Sequence, residues 1–184
     1  MNKKSGILTY DIEKVLVEEK DIIKRIKDLG RQITEDYAGK DLLMVSLLKG
    51  SVIFLSDLVR SIDLPLEFAF LTITNYSRGT KPLIRPKVGE RSLDDIEGRD
   101  VILVEDILDT GNTIAYAQQW IARKNPASFE TAVFCSKKKQ RSSEIREPKY
   151  VGFTVPDRFV VGYGLDYAEK YRNLPLVGIL RDVQ

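Results

Sequence analysis

Three features of this 184-residue sequence predict an α/β fold: a mostly parallel, twisted sheet flanked by helices. Its apolar runs are short and nearly continuous, as strands buried on both faces read. Amphipathic helical stretches separate those runs, as crossover connections between parallel strands require. The length suits one domain, and 43% hydrophobic with 30% charged residues is an ordinary globular balance. Residues 1–184 are therefore read as a single domain.

The elements follow in order. Ile22, Ile23, Ile26, Leu29, Ile33 and Tyr37 recur at helical spacing among charged residues, which predicts a helix from about Glu18 to Ala38 with Gly39 as its C-cap. Leu42 to Leu48 is an apolar run of strand length, closed by Lys49-Gly50-Ser51. Ser51 is placed as the N-cap of a second helix that turns Phe54, Leu55, Leu58 and Val59 inward. Leu64-Pro65 ends that helix, and Leu66 to Ile73 reads as the next strand. The segment 75–91 is polar, holds two prolines and carries five basic side chains, so it reads as a long loop. Val101 to Val104 is a short apolar strand, followed by a Gly-containing turn and a helix marked by Ile114, Ala117, Trp120 and Ile121. Further strands are expected at Thr131 to Ser136, Tyr150 to Phe153, Phe159 to Gly162 and Leu176 to Leu180. In such sheets ligands gather at the carboxyl ends of the strands.

Composition removes several classes of chemistry. The chain has no histidine, which excludes Ser-His-Asp and Cys-His mechanisms and His-ligated zinc. Acid–base work must fall to Asp, Glu, Lys or Tyr. Cys135 is the single cysteine, so no internal disulfide holds the fold. With 29 basic and 27 acidic side chains, the net charge of +2 gives no bulk electrostatic case for binding nucleic acid or a membrane. No apolar run approaches the roughly 18 residues of a membrane span, and the start is too short and polar for a signal peptide. The expectation is a cytoplasmic protein.

The sharpest motif runs from Val101 to Thr113. An apolar strand delivers Glu105 and Asp106. The turn Asp109-Thr110-Gly111-Asn112-Thr113 then opens a helix. Successive backbone N–H groups and two hydroxyls at a helix N-terminus make an anion cradle. The adjacent acids suit a divalent cation or a pair of sugar hydroxyls. Together they describe a site for a ribose phosphate. Any one of these residues taken alone is better explained by an ordinary capped turn; the whole string is not. It resembles the phosphoribosyl-pyrophosphate (PRPP) signature of the type I phosphoribosyltransferases. No Gly-Lys-Ser/Thr follows Gly111, so the string is not a Walker A loop, and no G-x-G-x-x-G follows a predicted strand, which argues against a dinucleotide fold.

Two further motifs place the chain within that family. Leu47-Leu48-Lys49-Gly50-Ser51 resembles the pyrophosphate loop of the 6-oxopurine enzymes, in which the peptide before the lysine is often cis. The run Val151-Gly152-Phe153, Val155 to Tyr167 and Tyr171 to Pro175 resembles the purine-binding segment of the hypoxanthine-guanine branch. The resemblance spans nearly all of residues 7 to 181.

The resemblance implies the following roles. Glu105 and Asp106 hold the ribose hydroxyls, one or both also facing Mg²⁺, and Asp166 reaches a second Mg²⁺. Asp109 is the general acid/base near N7 of the purine and belongs to the PRPP site. Thr110, Gly111, Asn112 and Thr113 cradle the 5′-phosphate. Lys49, Gly50 and Arg172 meet the pyrophosphate. Phe159 stacks on the base, and Val160 bonds its edge through the backbone. A lysine after the Thr131–Ser136 strand donates to the 6-oxo group. Lys137, Lys138 and Lys139 follow in a row, and counting back from Val151 favours Lys138. The family's fold adds a small hood from the chain ends, here 150–184 with the N-terminal segment. Residues 75–91 would form a lid, opening on Asn75-Tyr76 where the family usually has Ser-Tyr.

The implied activity is purine salvage: transfer of 5-phosphoribosyl from PRPP to hypoxanthine or guanine, giving IMP or GMP and pyrophosphate. Expected partners are these substrates, with no nucleic acid and no membrane, in a homodimer or homotetramer. Two alternatives stay open. One is a PRPP-fold regulator that senses nucleotides and binds RNA. The other is a xanthine-preferring transferase, because Lys with Phe159-Val160 reads the 6-position and leaves C2 undecided.

Overall fold

The computed structural model describes residues 11–74, 83–87, 96–139 and 145–181. In chain order the elements are β1 (Ile12–Val17), α1 (Glu19–Asp36), β2 (Leu42–Leu47), α2 (Val52–Val59), β3 (Leu66–Thr74), β4 (Leu83–Lys87), β5 (Asp100–Leu108), α3 (Asn112–Ala122), β6 (Ser128–Lys137), β7 (Tyr150–Val155), β8 (Val160–Val161) and β9 (Val177–Leu180).

Six strands form one sheet in the order β4-β3-β2-β5-β6-β7. All neighbours from β3 to β7 pair in parallel, and β4 alone runs antiparallel, against β3. The mostly parallel α/β sheet expected from the sequence is thus present. Alternation within β2 explains its unbroken apolar character. Leu42 and Met44 join a core with α1 and α2 on one face. Leu43, Val45 and Leu47 join a core with Ile114, Ala117 and Ile121 of α3 on the other. Both faces are covered, so neither set of side chains needs to be polar.

α1 also secures the far edge strand. Arg25 donates to the carbonyls of Val151 and Gly152 at 2.6 and 3.1 Å, and the Tyr150 hydroxyl donates to Asp36 at 2.7 Å. These bonds tie α1 to β7 through its main chain and through the Tyr150 side chain. A second, antiparallel sheet, β1-β9-β8, joins strands from both ends of the chain around Ile12, Val161, Leu174 and Leu180.

Several boundaries differ from the sequence reading. β5 does not stop at Val104 but continues through Glu105 and Asp106 to Leu108, because β6 keeps pairing it as far as Leu108↔Ser136. The two acids are therefore strand residues. Ser51 does precede α2, yet its hydroxyl does not cap the helix; it turns back to the Leu47 carbonyl and to Ser46. β1 is a strand that the reading left out. β4 lies inside the segment expected as a continuous lid loop; Asn75 and Tyr76 lie outside the described residues. No helix among the described residues is long and apolar enough to cross a membrane.

Candidate active site

Parallel register brings the carboxyl ends of β2, β5, β6 and β7 to one edge, since Ser46 pairs with Val104, Leu108 with Ser136, and Lys137 with Val155. Two adjoining hollows lie there. One, of about 140 Å³, is lined by Asp106, Ile107, Asp109, Lys137, Phe159, Val160, Leu165 and Asp166. The other, of about 150 Å³, is lined by Glu105, Thr110, Gly111 and Thr113, and shares Ile107 and Asp109 with the first.

The second hollow is the turn that the sequence marked as an anion cradle. Gly111 has φ +86° and is the N-cap of α3, so its left-handed backbone aims the first N–H groups of the helix into the hollow. Thr110 and Asn112 are exposed there, as a phosphate site requires.

Glu105 and Asp106 stand between the cradle and β2. Burial, then the adjacent Asp106 carboxylate, pushes Glu105 well above its ordinary value. Its Oε2 is buried with no hydrogen-bond partner. Burial also raises Asp106, opposed in part by the Ile107 N–H, which donates to its Oδ1 at 2.7 Å. A Cβ at Gly50 would overlap the Asp106 carboxylate, so a larger residue there would force that carboxylate to move. The donor set fits a magnesium ion. Such an ion is typically held by one or two carboxylates and completed by substrate phosphates and water. Among the described residues no group of three or more Asp, Glu or Cys side chains is arranged to hold a metal alone, so Asp166 does not form one cluster with Glu105 and Asp106.

Two loops converge beside the acid pair. The Leu48–Lys49 peptide is cis. Lys49 Nζ lies 3.1 Å from Glu169 Oε2. Arg172 donates to the Gly164 carbonyl at 2.7 Å and pairs with Asp166 at 2.8 Å and Glu169 at 3.4 Å, while its Nε is buried without a partner. Glu169, which the sequence reading passed over, thus ties the two predicted cations to each other. Asp166 further accepts the Glu169 N–H at 2.9 Å.

At the first hollow the three consecutive lysines take different places. Lys137 lines the cleft and donates to Asp109 Oδ2 at 2.8 Å, whereas Lys138 is exposed and only its backbone is engaged, donating to the Val155 carbonyl. Lys139 also pairs with Asp109. β6 runs on to Lys137, so strand alternation turns Lys137 inward and Lys138 outward. Asp157, a second residue not anticipated, lies 3.7 Å from Lys137 and 3.4 Å from Lys139. Burial acts to raise Asp109, but hydrogen bonds from Lys137 and Lys139 outweigh it and hold the carboxyl below its ordinary value. Phe159 is 53% exposed at the cleft mouth, edge-on to Tyr167 with ring centroids 5.5 Å apart. Val160 is buried on β8 behind it. An exposed aromatic face beside a buried backbone edge is a platform for a flat heterocycle.

The phosphoribosyl transferase domain family matches residues 14–168. A hypoxanthine-guanine phosphoribosyltransferase of Streptococcus thermophilus is 43% identical over 176 residues, covering 96% of this chain and 97% of that protein. Among solved structures, a hypoxanthine phosphoribosyltransferase of Staphylococcus aureus superposes with a TM-score of 0.88 at 40% identity, covering 97% of both chains. A Trypanosoma cruzi hypoxanthine phosphoribosyltransferase in complex with the product IMP gives 0.85 at 34% identity, covering 94% of this chain and 96% of that one.

Proposed function

The chain belongs to the hypoxanthine-guanine branch of the phosphoribosyltransferase family, and from that membership we propose how its residues carry purine salvage. The reaction moves the 5-phosphoribosyl group of PRPP onto hypoxanthine or guanine, releasing pyrophosphate and IMP or GMP. The observation that carries the residue assignment is the pair of adjoining hollows that meet at Asp109. One suits a phosphate and the other a flat base.

The 5′-phosphate rests on the N–H groups of 110–113 and the Thr110 and Thr113 hydroxyls. The base stacks on Phe159, with Val160 at its edge and Lys137 donating to the 6-oxo oxygen. This takes the place of the Lys138 assignment. As the C1′–O bond to pyrophosphate breaks, N9 of the purine forms the new bond to C1′. The proton on N7 passes to the ionised Asp109 carboxylate; in the reverse direction Asp109 returns it. General acid–base groups contribute about 10²–10⁴-fold. Lys49 and Arg172 stabilise the charge that gathers on the departing pyrophosphate. A divalent cation held by Glu105 and Asp106, with a second at Asp166, would neutralise further charge on the leaving group. The β1-β9-β8 sheet and the loop 162–175 serve as the hood over the base. We further propose a cytoplasmic homo-oligomer, with no nucleic-acid or membrane partner. The RNA-binding alternative finds no support in the comparisons.

The test is a spectrophotometric assay of PRPP and Mg²⁺ against hypoxanthine, guanine, xanthine and adenine. The proposal expects turnover with hypoxanthine or guanine and none with adenine, whose 6-amino group is a donor facing a donor. Adenine as the preferred substrate would overturn the assignment of Lys137.

A further inference from the structure

Asp109 is gripped by two lysines, and only one of them has a task in the cleft. Lys137 lines the base hollow, but Lys139 is not among the lining residues. Lys139 approaches Asp109 Oδ1, while Lys137 holds Oδ2. The backbone explains the pairing. The Lys139 N–H donates to the Lys137 carbonyl at 3.1 Å, a tight turn that returns residue 139 to the side from which residue 137 projects. Asp157 stands across from both ammonium groups. The result is a closed ring of alternating charge: Asp109, Lys137, Asp157, Lys139.

We propose that Lys139 is a positioning residue for the reaction, holding Asp109 as an oriented carboxylate when Lys137 turns to the substrate. The inference rests on Asp109 being the proton acceptor described above. Lys137 has three ammonium donors, so it can reach the 6-oxo oxygen and Asp109 Oδ2 together, but its single positive charge is then divided between them. A cation placed outside the cleft keeps the carboxylate charged while the other is shared. Asp157 balances the pair, so that two ammonium groups and two carboxylates sum to zero and the base cleft carries no excess positive charge. The other charged groups around this cleft are Asp106 on β5, Glu105 in the adjoining hollow, and Asp166 from the 162–175 loop, which Arg172 pairs at 2.8 Å. The cations in contact with Asp109 itself are Lys137 and Lys139.

The experiment compares the parent chain with Lys139→Gln and Lys139→Arg. One readout is the ¹³C-carboxyl NMR titration of Asp109 in the free protein, its signal assigned by its loss in Asp109→Asn. The other is the pH profile of kcat/KM for hypoxanthine. Removing one of two opposing charges should move the Asp109 titration and the acidic limb of the profile upward together by about one pH unit, tenfold in proton affinity. Lys139→Arg should restore both, and the KM for PRPP should not change. An unmoved Asp109 titration in Lys139→Gln would overturn the proposal. A titration that moves while the acidic limb stays in place would overturn it equally. Failure of Asp109→Asn to lower turnover would instead fall on the assignment of the proton acceptor, and the NMR titration would still decide whether Lys139 holds the carboxylate.

Discussion

Two acidic groups on the same strand end live in opposite surroundings. Glu105 and Asp106 sit near the end of β5, where burial drives both carboxyls upward. Asp109, one turn of chain further on, is met by Lys137 and Lys139 and is held below its ordinary value despite its own burial. Residue type alone does not separate these acids; their neighbours do. Under the proposed function, the first pair is where an external cation would be held. The second is a finished ion-pair network that keeps one carboxylate ionised. A transfer reaction needs both: a place to hold a polyanionic leaving group through a cation, and a base ready beside the incoming nitrogen.

The difference is broken most severely at Asp109. Asp109→Asn should lower kcat by about 10²–10⁴-fold while leaving PRPP affinity near that of the parent, because the amide keeps the shape and loses the proton acceptor. Steady-state kinetics with separate PRPP binding measurements check this, and a turnover within a few-fold of the parent would contradict it. The next effect lies at the lysines. Lys137→Gln should raise the KM for hypoxanthine and guanine by a loss of roughly 1.5–3 kcal/mol in base binding, and Lys138→Gln should change it little. The reverse ranking would mean that the register at the end of β6 is wrong.

That register shows where the sequence stops being informative. The parallel sheet, α1 and the strand–turn–helix at 101–113 were legible because periodicity and turn chemistry are local. The lysine was not. Three identical residues follow one another, so the only available ruler was a count back from Val151 across the irregular connection before β7, and an irregular connection has no period to count in. The decisive information is the pairing of Lys137 with Val155 on the neighbouring strand, which is a tertiary fact. Glu169 and Asp157 were missed for the same reason, since an acid in a loop carries no signal until its partners come from elsewhere in the chain. The extent of β5 was hidden too: two charged residues after an apolar run read as a strand end, although β6 continues to pair them.

Smaller effects sharpen the comparison from the stability side. Glu105 Oε2 is buried and unpartnered in the free chain. Glu105→Gln should therefore raise the stability of the ligand-free protein by about 1 kcal/mol, roughly 2–4 °C in Tm, while weakening PRPP binding. A lower Tm by calorimetry would count against a charge deficit at this position. Asp109 works with the opposite sign. Its carboxyl lies below the ordinary 3.8 in the folded chain, so its pairing contributes stability that is present above that pH and is lost as the pH falls through the folded value. The side chain is 39% exposed, so the effect is small. Asp109→Asn should flatten this part of the acid-unfolding curve, and an unchanged slope would mean that the lysines do not stabilise the folded carboxylate.

The most direct measurement is a ¹³C-carboxyl NMR titration of Glu105, Asp106 and Asp109 in one sample of the ligand-free protein. Asp109 is expected to titrate below 3.8, and Glu105 and Asp106 above their ordinary 4.5 and 3.8. Three carboxyls titrating together near their ordinary values, or Asp109 as the last of the three to lose its proton, would contradict the account.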